Sequence, residues 1–255
     1  MAEVARITVY PVKALAGEAV DRARITDAGL LAHDREYVLR GPDGRPVNGK
    51  RTARVHDLDG GFDLDTGVLT VRGEGGERRF RLPDERAAAE AWFSAFFDLD
   101  VTVERDPERG FVDRRSAGPS VVSTATLREL ASWYEDVTVR GMRRRLRANV
   151  EVSGVEPFWE DRFLGAEAPE MKLGDVTLAG VEPCGRCVVP ERDPDTGRRD
   201  PDFRRRFVER RRGTFPAFAD ADAFEHYYAA MLIASVPEGS RGEVLRVGDP
   251  VSVVD

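Results

Sequence analysis

Residues 176–189 read Val-Thr-Leu-Ala-Gly-Val-Glu-Pro-Cys-Gly-Arg-Cys-Val-Val and hold both cysteines of the chain. The apolar runs over residues 176–179 and 187–189 predict two short strands, and the motif of residues 183–187 is predicted as the loop that joins them. Residues 193–197, Asp-Pro-Asp-Thr-Gly, have the composition of a turn. Short strands separated by Gly- and Pro-containing turns are typical of a β-rich fold.

The rest of the chain repeats this pattern. Alternating or apolar runs predict further strands over residues 5–10, 21–25, 35–40, 61–64, 68–72, 78–82, 101–104, 150–152, 171–173 and 244–247. Helices are predicted over residues 85–97, with Asp84 as N-cap, and over residues 125–134, with Ser123 or Thr124 as N-cap. The prediction is an α+β, predominantly β fold of two modules, residues 1–112 and 113–255. Each should be barrel-like, because many short strands hide their edges by closing.

Composition restricts the possible partners. The chain has 255 residues, a net charge of −7 and 39 cationic residues, of which only Lys13, Lys50 and Lys172 are lysines. An acidic chain has no general attraction to nucleic acid. The basic run of residues 204–212 could still bind it, but a solvated helical face anchored by two Phe residues is the favoured interpretation. No apolar run approaches the ~20 residues of a membrane span and no signal peptide is visible, so we expect a cytoplasmic protein without membrane contact.

The cysteine motif is the main candidate for chemistry. Arg186 lies between Cys184 and Cys187, and a neighbouring cation favours the reactive thiolate form of a cysteine. The pair could be a redox couple, half of a metal site completed by another subunit, or two small core residues. Two cysteines cannot hold an iron-sulfur cluster, and the three histidines show no paired metal-ligand spacing. No phosphate-binding glycine motif appears, so nicotinamide and nucleoside-triphosphate chemistry is not expected.

Several motifs taken together resemble one family. They are residues 7–13 (Ile-Thr-Val-Tyr-Pro-Val-Lys), 33–35 (His-Asp-Arg), 145–150 (Arg-Leu-Arg-Ala-Asn-Val), 157–161 (Pro-Phe-Trp-Glu-Asp), 184–187, 193–197 and 247–251. In this order they resemble the MOSC domain family, the molybdenum cofactor sulfurase C-terminal type. The resemblance is to its two-module members, which are similar to the mitochondrial amidoxime-reducing component, with residues 1–112 as an N-terminal MOSC β-barrel domain and residues 113–255 as the MOSC domain.

The resemblance implies a molybdenum cofactor, Mo-molybdopterin, held between the modules, with the Cys187 thiolate on molybdenum. A soft thiolate suits this metal, and a single protein ligand leaves positions open for substrate. The other implied cofactor-binding residues are Lys13, Lys50, Arg51, Arg147, Asn149, Arg186 and Cys184. Cys184 is the weakest of them.

Several of these positions keep an alternative. Lys13 could be an ordinary strand-end lysine, and Arg186 could form a salt bridge to Glu182. Relatives usually have Arg where this chain has Lys50, so Arg51 could take that role, and Ala148 replaces a family Pro. Ser120 and Ser123 could also lie near the cofactor, and Glu160 and Asp161 are interpreted as structural. The family is linked to pyridoxal phosphate, but no Schiff-base lysine is predicted.

The implied function is an oxidoreductase that reduces N-hydroxylated or N-oxide-like small molecules. With no flavin, haem or cluster motif in the chain, electrons would come from a separate donor protein, such as a ferredoxin-like protein or a flavin reductase. Two alternatives remain: a sulfur carrier with a persulfide on Cys187 for metal-sulfur cluster assembly, and a cofactor-binding module without turnover.

Overall fold

The computed structural model describes residues 1–114 and 118–254. Its strands are β1 (Glu3–Val9), β2 (Glu18–Val20), β3 (Arg22–Arg24), β4 (Tyr37–Arg40), β5 (Asp59–Asp63), β6 (Val68–Gly73), β7 (Gly76–Arg81), β8 (Thr102–Arg105), β9 (Ser120–Ser123), β10 (Val150–Ser153), β11 (Glu170–Leu173), β12 (Val176–Gly185), β13 (Ala229–Ser235), β14 (Val244–Arg246) and β15 (Val251–Val254). Its α-helices are α1 (Arg86–Phe97), α2 (Thr124–Ser132), α3 (Val139–Leu146) and α4 (Phe203–Gly213). Short 3-10 helices span Ala53–Asp57, Trp159–Phe163, Val189–Glu191, Ala221–Ala223 and Glu238–Ser240. The predicted α+β, predominantly β class is confirmed.

One large sheet dominates the molecule. Its eight strands run in the order β15-β11-β12-β13-β9-β10-β1-β2. An isolated bridge between Glu3 and Pro250 brings the start of β1 to the start of β15, so the sheet curls back towards itself. Within the described ranges the ladder does not continue all the way round, and the sheet is not a closed barrel. β1 and β2 come from the N-terminal part of the chain, so both halves build this sheet; the module boundary at residue 112 stays a prediction.

Three apolar cores support this arrangement. The inside of the large sheet forms the first, with Ile7, Val152 and Leu178 fully buried. The smaller sheets β4-β8 and β5-β6-β7 cover α1 and form the second, around Phe93. Helices α2, α3 and α4 pack against the large sheet and form the third, around Phe207. The second core belongs to the N-terminal module alone.

The basic run of residues 204–212 lies on α4, as the favoured interpretation predicts. Phe203 and Phe207 are fully buried on its inner face, and the Phe203 ring stacks on Tyr134 with centroids 4.4 Å apart. Arg204 and Arg205 on the same helix are exposed. No helix within the described residues is long and apolar enough to cross a membrane.

The strand prediction fails at the cysteine motif. β12 extends through Pro183 and Cys184 to Gly185, so the first half of the predicted loop is strand. The strand predicted over residues 187–189 is wrong, because a 3-10 helix with Pro190 in its first turn follows instead. Proline has no N–H to donate to a ladder, which favours ending the sheet before it. Cys187 therefore sits just beyond the end of a long strand.

Candidate functional site

The motif is held in place by the strand beside it. β12 pairs antiparallel with β13, and the Arg186 N–H donates to the Tyr228 carbonyl at 2.8 Å. Cys184 is buried under this ladder, whereas Cys187 is half-buried. Both are free thiols. The two cysteines thus have different environments, one inside the core and one at the end of the strand.

Arg186 points inward, towards Cys184. Its Nη1 donates to the Cys184 sulfur at 3.0 Å, and its Nη2 donates to the Leu146 carbonyl at the end of α3 at 3.0 Å. The predicted alternative, a salt bridge to Glu182, does not form, because Glu182 lies against Arg114 instead. Arg186 therefore ties the cysteine motif to α3 and places its cation beside the Cys184 thiol.

Cys187 has a different neighbour. The Val189 N–H, at the start of the 3-10 helix, donates to the Cys187 sulfur at 3.5 Å. The nearby Tyr228 hydroxyl is buried and has no hydrogen-bond partner among the described residues. Burial raises the pKa of Tyr228, and the charge of Glu191 raises it further. The half-buried sulfur thus lies close to a neutral phenol.

Arg147 lies at the module interface and has no ion-pair partner among the described residues. It ends α3 in the left-handed conformation (φ 58°), and its guanidinium lies 4.0 Å from the centroid of the Tyr10 ring. Burial, with the charges of Arg35 and Arg186, lowers the pKa of Arg147 to about 10, although Tyr10 and Asp34 oppose this shift. Within the described residues no carboxylate lies within salt-bridge distance of it and its side chain donates no hydrogen bond. An anion would relieve this charge.

Asn149 is buried between three strands. Its Oδ1 accepts from the Ser120 N–H at 3.2 Å and from the Ser120 hydroxyl at 3.1 Å, and its Nδ2 donates to the Thr8 carbonyl at 3.1 Å. Its amide is therefore committed to joining β9, β10 and β1. The predicted role of Asn149 at the cofactor stays a prediction, and its visible role is to fix the strand that leads from Arg147.

Lys13 and Lys50 lie around one carboxylate. Lys13 Nζ donates to the Phe111 carbonyl at 2.7 Å and to Asp113 at 2.5 Å. Burial opposes the ionisation of Asp113, but the hydrogen bond and charge of Lys13, with the charges of Lys50 and Arg35, lower its pKa. The structure thus places the two predicted lysines in one electrostatic cluster with Arg35.

Arg51, the alternative to Lys50, is engaged elsewhere. Its guanidinium forms a two-pronged pair with the Asp43 carboxylate in an exposed turn. The hydrogen bond from Arg51 lowers the pKa of Asp43 to about 2. Of the two neighbours, Lys50 is the one with no salt-bridge partner among the described residues.

The turn of residues 48–51 reaches the second module. Arg192 Nε donates to the Gly49 carbonyl at 3.1 Å, and Arg192 Nη1 donates to the Gly197 carbonyl at 3.1 Å. A Cβ on Gly49 would lie 3.4 Å from Val189, whose N–H contacts Cys187. The lysine turn and the cysteine loop are therefore neighbours, and Arg192 bridges them. Sequence reasoning missed Arg192, because its partners are more than one hundred residues apart in the chain.

His56 is a second residue that the sequence did not indicate. Its Nε2 atom is buried and has no hydrogen-bond partner in the part of the chain that the structure describes. Another histidine, His226, is exposed beside the cysteine motif, with its Cε1 3.4 Å from the position of a Cβ on Gly185. Neither lies in a recognisable sequence motif.

Glu160 and Asp161 are buried on the far side of β9. Glu160 Oε2 accepts from the Ser123 N–H at 3.2 Å and from the Thr126 hydroxyl at 3.0 Å, and Asp161 pairs with the buried Arg211. These contacts fasten the 3-10 helix of residues 159–163 to α2 and α4, in agreement with the structural interpretation. Ser123 is the N-cap of α2.

The arrangement brings Lys13, Lys50, Arg147, Arg186 and Cys187 to the junction of the two modules. Cations collect there although the chain as a whole is acidic. In the ranges 1–114 and 118–254, no group of three or more His, Cys, Asp or Glu side chains is placed to hold a metal ion. Cys187, the residue predicted to bind the metal, has a half-buried sulfur at this junction.

Two family models match the chain. Residues 1–91 match the MOSC N-terminal beta barrel domain, and residues 114–252 match the MOSC domain. The chain belongs to the MOSC domain family. The predicted resemblance is confirmed, and the cysteine motif lies within the matched MOSC domain.

Curated relatives fall into two groups. Mitochondrial amidoxime reducing component 2 of Bos taurus is 24% identical over 294 residues, which cover 97% of this chain and 82% of the relative. Molybdenum cofactor sulfurase of Solanum lycopersicum is 23% identical over 245 residues, covering 75% of this chain and 29% of the relative. The sulfurase of Arabidopsis thaliana is 34% identical over 233 residues, covering 72% and 28%. This MOSC chain therefore spans less than a third of the sulfurases it matches, but most of the reducing component.

Proposed function

We propose that this MOSC protein binds a molybdenum cofactor between its modules and is an oxidoreductase that reduces N-hydroxylated or N-oxide-like small molecules. The observation that carries the proposal is that Arg147, Lys50 and Arg192 have no carboxylate partner among the described residues and lie at the same module junction as the half-buried Cys187 sulfur. The amidoxime reducing component that aligns along 97% of the chain supports it.

The residues at the junction fit such a ligand. Arg147 has no carboxylate partner among the described residues, and a phosphate-bearing pterin would supply the missing negative charge. Arg192 contacts the lysine turn through the Gly49 carbonyl, so it and Lys50 would be available to bind the same anion. Cys187 provides the soft thiolate that molybdenum prefers, and a site with one protein ligand leaves room for substrate.

Each residue then has a task. The cofactor supplies two-electron redox chemistry at its metal. Cys187 would hold the metal, Arg147 and Lys50 would bind the anionic end, and Arg186 would fix the motif on α3. The overall reaction takes two electrons and two protons to convert an N–OH group to N–H and water. Electrons would come from a separate donor protein, and the expected cytoplasmic location remains a prediction. Pyridoxal phosphate has no part in this proposal.

The test is chemical analysis of protein from a host that makes the cofactor. Molybdenum per chain by mass spectrometry and the fluorescence of oxidised pterin should both be near stoichiometric. Reduction of an N-hydroxylated amidine with reduced viologen then measures turnover without the natural donor. A metal-free, pterin-free protein from that host would overturn the proposal.

Two matched cysteine variants test the ligand. Cys187→Ser should abolish viologen-driven reduction, because the thiolate that would hold the metal is lost. Cys184→Ser should keep much of the activity, because Cys184 is buried and contacts Arg186 rather than the open side. Equal loss in both variants would instead favour a dithiol redox pair.

A second candidate is a sulfur carrier with a persulfide on Cys187. The 34% identity to a molybdenum cofactor sulfurase is the observation that favours it. This function predicts a metal-free protein whose Cys187 sulfur is labelled by persulfide reagents after incubation with a cysteine desulfurase. A cofactor-loaded protein without turnover would leave the third alternative, a binding module.

A further inference from the structure

His56 lies between the two modules. It belongs to the 3-10 helix Ala53–Asp57, and a Cβ on Gly49 would come within 3.0 Å of its Nε2. On the other side, a Cβ on Gly197 would lie 3.3 Å from the His56 Cβ. The histidine is therefore enclosed by the lysine turn of one module and by the turn of residues 193–197 of the other.

The buried Nε2 atom has no partner in the described ranges. Leaving a buried polar atom without a hydrogen bond lowers the stability of the fold by about 1–3 kcal/mol. The cost would disappear if a ligand atom accepted a hydrogen bond from it.

The surrounding charges are mostly positive. Burial lowers the pKa of His56, and Arg192, Arg147 and Arg144 lower it further. Asp57 opposes them, and Arg144 is itself paired with Asp195. Lys50 lies on the adjoining turn. Burial and these neighbouring cations thus both disfavour the protonated form of the ring.

We propose that His56 binds the phosphate end of an anionic ligand together with Arg147 and Arg192, and takes up a proton when that ligand enters. The identity of the ligand as a pterin phosphate rests on the proposed function, whereas the site itself requires only a phosphate-type anion. The ligand's charge offsets the arginines, and the protonated ring can donate from Nε2.

This coupling makes binding depend on pH. Between the pKa of His56 in the free protein and its higher pKa in the complex, affinity rises up to about tenfold for each unit by which the pH falls. Glutamine at position 56 can still donate a hydrogen bond but cannot change charge, so His56→Gln should flatten this dependence.

The experiment uses the full chain from a host that cannot make the pterin, with inorganic pyrophosphate as the probe. The chain has three histidines, so NMR can follow each ring and single variants assign them. The His56 ring should titrate below pH 6.5 in free protein, and its midpoint should rise by at least one pH unit with saturating pyrophosphate. His33, which pairs with Glu36 at 2.9 Å, should not respond.

Calorimetry in two buffers of different ionisation enthalpy gives the number of protons taken up. The wild type should take up more protons at pH 6.5 than His56→Gln, and between pH 7 and pH 6 its affinity should rise by up to about tenfold relative to that of the variant. His33→Gln is the matched control and should behave as the wild type.

Three results would overturn the proposal: no pyrophosphate binding, a His56 midpoint that does not move, or equal proton uptake in the wild type and His56→Gln. These results are independent of molybdenum content and turnover. A protein that never binds molybdenum but shows the His56 response would refute the proposed function and leave this site standing.

Discussion

Replacing Glu160 with Gln should stabilise the protein at alkaline pH and leave its stability nearly unchanged at acid pH. Glu160 is 1% exposed and its Oε1 has no partner among the described residues. Burial, followed by the charge of Asp161, raises the pKa of Glu160 to about 7. A carboxyl whose pKa is higher in the folded protein than in the unfolded chain gains a proton on folding.

The difference between the pKa of Glu160 in the folded and in the unfolded state fixes the direction and size of the effect on stability. The contribution of Glu160 to stability is complete below about pH 4.5 and is lost as the pH rises through about 7, at a total of about 3 kcal/mol. The Gln side chain keeps an oxygen for Ser123 and Thr126 and carries no charge. We expect Glu160→Gln to be about 2–3 kcal/mol more stable than the wild type at pH 8 and within about 1 kcal/mol of it at pH 5.

Urea unfolding at pH 5, 6, 7 and 8 measures this. Glu156→Gln is the control, because Glu156 is exposed and its pair with Arg162 at 2.7 Å should contribute less than about 1 kcal/mol at any of these pH values. A Glu160→Gln variant that is destabilised equally at pH 5 and pH 8 would refute the reasoning, since the buried charge would then not be the cause.

Three further predictions concern other parts of the molecule. Arg211→Met should lower the free energy of unfolding, measured with urea, by about 3–5 kcal/mol, because it leaves Asp161 buried without its ion pair. Adding Asp161→Asn should recover part of this loss. No recovery would argue against the ion pair as the cause. Gly180→Ala should lower the free energy of unfolding by more than about 2 kcal/mol, because its Cβ would lie 1.7 Å from the Phe163 carbonyl oxygen. Gly213→Ala is the control, because a Cβ there meets nothing within 4 Å. Similar urea unfolding midpoints for the two variants would contradict this prediction. Lys13→Ala should lower pterin occupancy, measured by chromatography of the released pterin, whereas Lys172→Ala on β11 should not; unchanged occupancy in Lys13→Ala would contradict the role of Lys13 in the site.

Elements that have a clear local pattern in the sequence are predicted correctly. The alternation over residues 68–72 and 78–82 gives β6 and β7, and Ser123 caps α2 by accepting from the Thr126 N–H at 2.9 Å. The N-cap predicted for α1, Asp84, is wrong: Glu85 occupies that position, and no side chain caps the helix.

Elements that depend on distant partners were missed. Helix α3 contains few apolar residues and is instead fixed by the pair between Arg143 and Glu151 at 2.6 Å and by the Thr138 cap. Strand β13 is apolar from Ala229 to Ala234, so period-two alternation could not reveal it, and it is the partner that extends β12 to Gly185. His56 was missed because it, too, depends on distant partners: its neighbours at residues 49 and 197 are adjacent only after folding.

The placement of charge connects the composition with the site. Several arginines elsewhere in this acidic chain have carboxylate partners, such as Arg40 with Glu104 and Arg143 with Glu151. At the junction, Arg147 and Arg192 have an aromatic ring or carbonyl groups instead, within the residues that the structure describes. A chain rich in carboxylates could have neutralised them, so leaving them unpaired lowers the stability of the anion-free protein. A ligand that supplies the missing charge would restore that stability, by about 3 kcal/mol at a hundred times its Kd. The same two cations would then link ligand binding to the docking of the modules, since Arg192 already joins the lysine turn to the cysteine loop.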